Sequence, residues 1–354
     1  MIKSQYNVIG VMSGTSLDGI DLVYATFNFD TIWSFQILYA ETIAYNSYWN
    51  GTLKDLVSLS KIELRQIDED YTRYLASEIK DFIIKYHINE IDAICTHGHT
   101  ALHQPHKKMT YQIGNLPILA SLLQQTIVCD FRVQDVELGG QGAPLVPIGD
   151  ALLFSQYEFC LNLGGFANIS YEMDSERIAY DICPVNIVLN HYVRSLGYDY
   201  DDGGRIAFTG KTNIDLLKQL NNLDFYKKTF PKSLGLEWVQ SIIIPLIDSF
   251  NLDVQDILKT FIEHIALQIS KEINKRSHVS ALVTGGGVYN DFLMERIKFY
   301  SNNTIVIPSK EIIEFKEALI FGFLGVLKLR GENNCLHSVT GALNDHSSGN
   351  IFHQ

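Results

Sequence analysis

The stretch Val8-Ile-Gly-Val-Met-Ser-Gly-Thr-Ser-Leu-Asp-Gly-Ile-Asp21 says most about this chain. An apolar run enters a turn of small, hydroxylated and glycine residues with two carboxylates, and Ile20 to Phe29 then alternates as a returning strand does. Two readings fit. One is an ordinary hairpin, for which glycine, serine and aspartate are the usual turn residues. The other is a phosphate-holding turn. There Gly10, Gly14 and Gly19 let the backbone bend towards a ligand, Thr15 and Ser16 donate to phosphate oxygens, and Asp18 holds a magnesium ion through water.

Glu158 to Tyr180 repeats the same grammar: an apolar strand (Phe159 to Leu163), a glycine turn (Gly164, Gly165), a returning strand (Ala167 to Glu172) and a third strand (Arg177 to Tyr180). A duplicated hairpin start is what a two-lobed nucleotide-binding architecture needs, each lobe giving one turn to the same phosphates. A third glycine turn, Gly285-Gly-Gly287, follows the strand Ala281 to Thr284 and precedes a helix starting near Asn290. It is either a surface on which a base or ribose lies against bare backbone or a tight strand-to-helix crossing.

Between these turns, Thr52 to Tyr86 has apolar residues at helical spacing, Asp92 to Thr96 reads as a short strand ending in His97-Gly-His-Thr100, and Thr126 to Cys129 as another ending in Asp130-Phe-Arg132. Polar residues at strand ends suggest the edge of a site. Asp253 to Lys275 reads as a helix, and Glu317 to Leu329 as a closing helix whose Ala318, Gly322 and Gly325 permit close packing. The boundary between lobes falls softly near Gly139 to Asp150, which divides the chain into 1–140 with 330–354 and 141–329.

The 354 residues suffice for two cores, and 28 basic against 40 acidic residues give a net charge of −12, which disfavours nucleic acid and anionic membranes as partners. Cys95, Cys129, Cys160, Cys183 and Cys335 are odd in number and mostly sit in apolar runs, as buried free thiols of a reducing compartment would. With no apolar signal core at the start and no spanning apolar stretch, a cytoplasmic soluble protein is expected.

Taken together, these motifs resemble the anhydro-N-acetylmuramic acid kinases, bacterial members of the sugar kinase, heat-shock protein and actin superfamily. The resemblance also rests on Gln112-Ile-Gly114, Gly139-Gly-Gln-Gly-Ala-Pro-Leu-Val-Pro147, Asn162-Leu-Gly-Gly165 with Ala167-Asn-Ile169, Pro231-Lys-Ser233, Glu317-Ala318 and Ser338-Val-Thr-Gly-Ala342. It implies a two-lobed actin-like ATPase (ribonuclease H-like) α/β fold with duplicated domains and an interlobe cleft. It also implies a homodimer and a reaction in which ATP, with Mg²⁺, phosphorylates O6 of an anhydrosugar while water opens the anhydro bridge. By position, Gly14, Thr15, Ser16, Leu17, Asp18, Gly19, Ile20 and Asp21 would hold ATP phosphates, Gly164 and Gly165 form the second phosphate turn, and Gly285, Gly286 and Gly287 receive adenosine. Asp181 falls at the catalytic aspartate, and Asn186 is retained nearby.

An aspartate ionised at neutral pH can take the proton of the attacking water, since the accepting oxygen begins as an ether. Asp181 could equally be a helix N-cap before Pro184. Where the family usually reads Asp-Thr-Gly-Pro-Gly-Asn, this chain reads Asp181-Ile-Cys-Pro-Val-Asn186, so loop geometry or a substrate contact is expected to differ. His99 also replaces the more usual glutamine.

His97, His99, His103 and His106 lie close enough for a metal site, but histidine at a sugar-site edge more often makes hydrogen bonds, as expected of His97. Arg132 and Gln141 are candidates for sugar contacts, the arginine because its fork of donors suits a lactyl carboxylate, although it could form an ion pair instead. Glu317 either contacts substrate or favours the helix dipole. Two other readings stay open: a kinase of another amino sugar or anhydrosugar, and a chaperone-like or filament-forming ATP binder without a small-molecule acceptor.

Overall fold

The computed structural model describes residues 2–14 and 17–354. Thr15 and Ser16, both expected to meet phosphate, lie outside the described residues. Among the described residues twelve strands are formed: β1 (Gln5–Ser13), β2 (Ile20–Phe29), β3 (Trp33–Ile43), β4 (Ala93–Gln104), β5 (Met109–Ile113), β6 (Ile127–Cys129), β7 (Phe159–Leu163), β8 (Phe166–Met173), β9 (Glu176–Pro184), β10 (Ser280–Thr284), β11 (Thr304–Val306) and β12 (Asn350–Phe352).

The first sheet has the order β12-β6-β4-β1-β2-β3, with β5 against β4, and the second the order β11-β10-β7-β8-β9. Both follow one plan. An antiparallel meander (β1-β2-β3 or β7-β8-β9) takes a parallel strand beside its first member (β4 or β10), which takes a further parallel strand (β6 or β11). The duplication expected from two glycine hairpins therefore extends to whole sheets. This is the duplicated ribonuclease H-like topology of the actin-like ATPases. The chain divides into two compact units, Met1–Leu153 with Phe315–Gln354, and Phe154–Glu314.

In the first unit, β1 is buried along most of its length and the helix Lys310–Arg330 lies directly on the sheet. A Cβ on Gly10 would stand 2.1 Å from the Ala318 carbonyl oxygen, and one on Gly325 would stand 2.1 Å from Cys95 Sγ. Gly10 is thus a packing residue within a strand rather than part of a ligand turn, and the small residues of the closing helix pack as expected. That helix begins earlier than Glu317, so Glu317 sits well inside it and has no place in a first-turn dipole interaction.

The helical segment expected over 52–86 is broken into the helices Ser47–Lys54 and Lys61–Lys85. Ser60 and Glu63 form a reciprocal capping box that starts the second afresh. The strand expected to end at Thr96 runs on through Gln104. Gly98 turns it at φ +71°, where a Cβ would stand 2.5 Å from the Ile113 carbonyl oxygen.

In the second unit, the helix Val254–Ile273 buries Leu258, Phe261, Ile262, Ile265 and Ile269 in one apolar core with residues of β7, β8 and β9. Burying each such side chain is worth about 1.5–3 kcal/mol. All five cysteines are free and buried. Among the described residues no helix is long and apolar enough to cross a membrane.

Candidate functional site

In the first unit, Ser13 at the end of β1 registers with His99 on β4, and its Oγ lies 2.7 Å from His99 Nδ1. The same hydroxyl is 2.5 Å from the Tyr45 hydroxyl, which is 2.6 Å from that of Tyr71. Burial lowers the His99 pKa to about 4, so its ring is neutral in this network. His97 has both ring nitrogens engaged. Arg132 Nε donates to Nε2 at 2.7 Å, which requires the proton on Nδ1, 2.8 Å from the Gly98 carbonyl oxygen. Burial, reinforced by the nearby Arg132 charge, holds His97 well below the ordinary histidine range.

His97 therefore positions Arg132 instead of reaching outward. Arg132 also donates through Nη1 to the Gly142 carbonyl at 2.5 Å, and its other terminal nitrogen makes no hydrogen bond among the described residues. Glu317, on the exposed side of its helix, faces the same charge: crowding raises its carboxyl and so does Asp21, while Arg132 and Lys316 oppose the rise. Gln141 is exposed, and its amide donates to the Thr340 carbonyl at 2.8 Å. Asn115 donates to the His97 carbonyl at 3.1 Å while its own buried Oδ1 has no hydrogen-bond partner among the described residues. Ser13, Tyr45, Tyr71 and Asn115 join this region without a sequence signal that singles them out.

Around the first glycine turn, Leu17 stands at φ +61° and its amide donates to the Gly14 carbonyl at 3.3 Å. Asp18 is exposed, whereas Ile20 begins β2 fully buried. Asp21 on β2 accepts from the Thr42 hydroxyl at 2.6 Å. A Cβ on Gly19 would be 2.4 Å from the Ile43 carbonyl oxygen, so strand packing by itself requires this glycine.

The second unit differs. Asn162, Asn168 and Asp181 stand opposite one another on β7, β8 and β9 and form a polar row on one face. Beside the row the β8–β9 register slips at Ile182, a bulge that re-aims the strand end. Asp181 Oδ2 accepts the Leu234 amide at 2.8 Å, and its own amide donates to the Lys232 carbonyl at 3.2 Å. Burial raises the Asp181 carboxyl; the Leu234 amide and the Lys232 charge pull the other way. Asp181 is not a helix cap, because the following helix Asn186–Val193 has Val185 at its N-cap position.

Ile182, Cys183 and Val185, where the family pattern is broken, are 1%, 0% and 0% exposed and belong to the core. Of the two expected differences, loop geometry or a substrate contact, their burial bears on the first: these three side chains pack into the core around the loop. Lys232, its ammonium buried, lies 3.7 Å from Glu272 and over the rings of Tyr180 and Phe225 at 5.4 and 5.0 Å. Tyr180 donates to Glu272 at 2.6 Å. Burial pushes the Glu272 carboxyl up, but hydrogen bonds from Lys275 and Tyr180 outweigh it and the net shift is downward. The motif Pro231-Lys-Ser233 pointed to Lys232; Glu272 lay hidden in a helical pattern.

The turn of Gly164 and Gly165 caps the helix Asn186–Val193: the Val185 and Ile187 amides donate to the Gly165 carbonyl, and the Asn186 amide to that of Gly164. Neither glycine has φ in the left-handed region, and a Cβ on either would meet no atom nearer than 3.5 Å. Gly286 is equally open, its nearest neighbour being Asn186 Nδ2 at 4.0 Å. Packing dictates the flanking pair: a Cβ on Gly285 or Gly287 would come 2.5 Å from Asn162 Oδ1 or 2.7 Å from Leu163 Cβ. Gly164, Gly165 and Gly286 are thus glycines that the polypeptide itself does not require, as expected where a ligand comes against bare backbone.

A duplicated ribonuclease H-like topology with bare-backbone turns and an oriented carboxylate fits a phosphotransferase of the sugar-kinase type. The family model for anhydro-N-acetylmuramic acid kinase matches residues 6–354, and the chain belongs to that family. Relatives bearing that name include one from Sulfurimonas denitrificans, 31% identical over 97% of this chain and 98% of its own. Another from Shewanella frigidimarina is 34% identical over 84% of each, and one from Pseudomonas syringae pv. syringae is 32% identical over 97% and 98%.

Proposed function

We propose that this chain transfers the γ-phosphoryl group of ATP to O6 of 1,6-anhydro-N-acetylmuramic acid while water opens the anhydro bridge. The product is N-acetylmuramic acid 6-phosphate, an intermediate of cell-wall sugar recycling. The observation that carries the reading is the Asp181 carboxylate, oriented by the Leu234 amide beside a bulge at the end of the polar row.

Gly164, Gly165 and Gly286 would hold the nucleotide where their open faces fit it, and Asp18 would hold magnesium through water. When bound, these groups supply the phosphoryl donor and neutralise its charge. Asp181 takes one proton from water as the water oxygen bonds to the anomeric carbon; the bond from that carbon to O6 breaks, and O6 bonds to the γ-phosphorus as the bond from that phosphorus to the β,γ-bridging oxygen breaks and ADP leaves. The half-buried position of Asp181 keeps the carboxylate close to its task. Arg132, fixed through Nε and Nη1, offers its remaining edge to the lactyl carboxylate. Gln141, Asn186 and Glu317 supply further polar contacts. A homodimer in the cytoplasm belongs to the same reading and rests on the family resemblance.

Incubation with ATP, Mg²⁺ and the anhydrosugar is expected to yield the 6-phosphate. Asp181→Asn should keep nucleotide binding and lose turnover by about 10²–10⁴-fold. ATP consumption that ignores every anhydrosugar would turn the reading towards a nucleotide-driven chaperone or filament.

A further inference from the structure

Asp135, Cys335 and His346 are buried together in the first unit, with one carboxylate oxygen, Sγ and a ring nitrogen all within 4.8 Å of one another. Asp135 comes from the short helix Val133–Glu137. Cys335 and His346 face each other across an antiparallel bridge in the C-terminal segment, with amide-to-carbonyl bonds of 3.1 and 3.2 Å. His346 Nδ1 is 3.0 Å from the Asn344 carbonyl oxygen, which places its proton there and leaves Nε2 a bare lone pair. That atom is buried without a hydrogen-bond partner among the described residues, 3.6 Å from Asp135 Oδ1. The same Oδ1 accepts from Cys335 Sγ at 3.0 Å and from the Thr340 hydroxyl at 2.7 Å. Asp135 is 0% exposed, and no lysine or arginine of the described residues pairs with it.

We infer that Asp135, Cys335 and His346 form a binding site for a zinc-like divalent cation. A thiolate, an imidazole lone pair and a carboxylate are the donor set that zinc prefers. Tetrahedral bonds of about 2.0–2.3 Å place such donors roughly 3.3–3.6 Å apart; the two separations from Asp135 are 3.0 and 3.6 Å, and the sulfur and ring nitrogen lie within 4.8 Å of each other. Two anionic ligands and one neutral one balance the double positive charge, so no net charge is left in the core. Cys335, its thiol pushed up by burial, gives the proton it now shares with Asp135 to solvent as the sulfur–metal bond forms. Asp135 Oδ2 accepts the Gly142 amide at 2.7 Å, and the Gly142 carbonyl holds Arg132. The ion would tie the C-terminal segment to the loop that steadies Arg132. This role stands whatever the substrate proves to be.

Titration of the purified full chain with cobalt(II) is expected to give a thiolate-to-metal charge-transfer band that zinc abolishes and that Cys335→Ser lacks. His346→Gln should weaken zinc binding at least about tenfold and remove the zinc-dependent rise in melting temperature. This second variant removes the unpartnered Nε2 and, besides it, only the local Nδ1 bond to Asn344, so it carries the test if C335S fails to fold. A wild-type chain without the band, or equal zinc affinity in wild type and H346Q, would mean a hydrogen-bonded cluster only and overturns the proposal.

Discussion

The two meanders share a topology and use it in opposite ways. In the first, the cross-strand row of Met12, Asp21 and Thr42 is closed on itself, because Thr42 donates to Asp21 at 2.6 Å, and Gly10 and Gly19 are filled against by Ala318 and Ile43. In the second, the row of Asn162, Asn168 and Asp181 ends in a carboxylate held by a backbone amide, and a Cβ on Gly164 or Gly165 would meet no atom nearer than 3.5 Å. What a Cβ would meet therefore separates glycines that packing demands from glycines that it does not.

The contrast is broken most severely at the third strand. Asp181→Asn should lower kcat by about 10²–10⁴-fold at unchanged melting temperature, whereas Thr42→Val, measured alongside, should leave kcat within a few-fold. Equal losses would erase the difference between the rows. Next come the glycines. Gly10→Ala forces a new carbon against the Ala318 carbonyl and should cost roughly 1–3 kcal/mol by denaturant unfolding, with nucleotide KM unchanged in the folded fraction. Gly164→Ala should change stability by no more than about 0.5 kcal/mol and raise nucleotide KM about tenfold, roughly 1.4 kcal/mol. A destabilised G164A with normal KM would reverse their assignment.

Two pH effects are smaller. Because burial raises Asp181, the acid limb of kcat/KM should lie above the ordinary aspartate value of about 3.9, activity falling as pH drops through it. His99 stays neutral down to about 4 in the folded chain, against 6.5 in a free side chain. The unfolded chain thus binds the extra proton first, and stability falls as pH drops from 6.5 towards 4, by on the order of 3 kcal/mol for this group. Melting curves of wild type and His99→Gln should diverge in that window and run parallel above it.

Sequence made the meanders legible because their apolar runs and glycine turns are local. It was silent where the deciding contact is distant: nothing near Gly10 announces Ala318, and nothing near His97 announces that Arg132 uses its lone pair. The break at Ser60 was readable, since Ser60 and Glu63 stand at capping-box spacing, but the continuous apolar periodicity masked it. The altered residues Ile182, Cys183 and Val185 left loop geometry and a substrate contact both open for the same reason: only the packed core reveals which way they face.

The most direct test of the account is the reaction in ¹⁸O-labelled water with ATP, Mg²⁺ and 1,6-anhydro-N-acetylmuramic acid, followed by mass spectrometry of the isolated product. The account predicts one labelled oxygen on the anomeric carbon and an unlabelled phosphoryl group on O6, both absent with Asp181→Asn. Label in released phosphate with the anhydro bridge intact would contradict it.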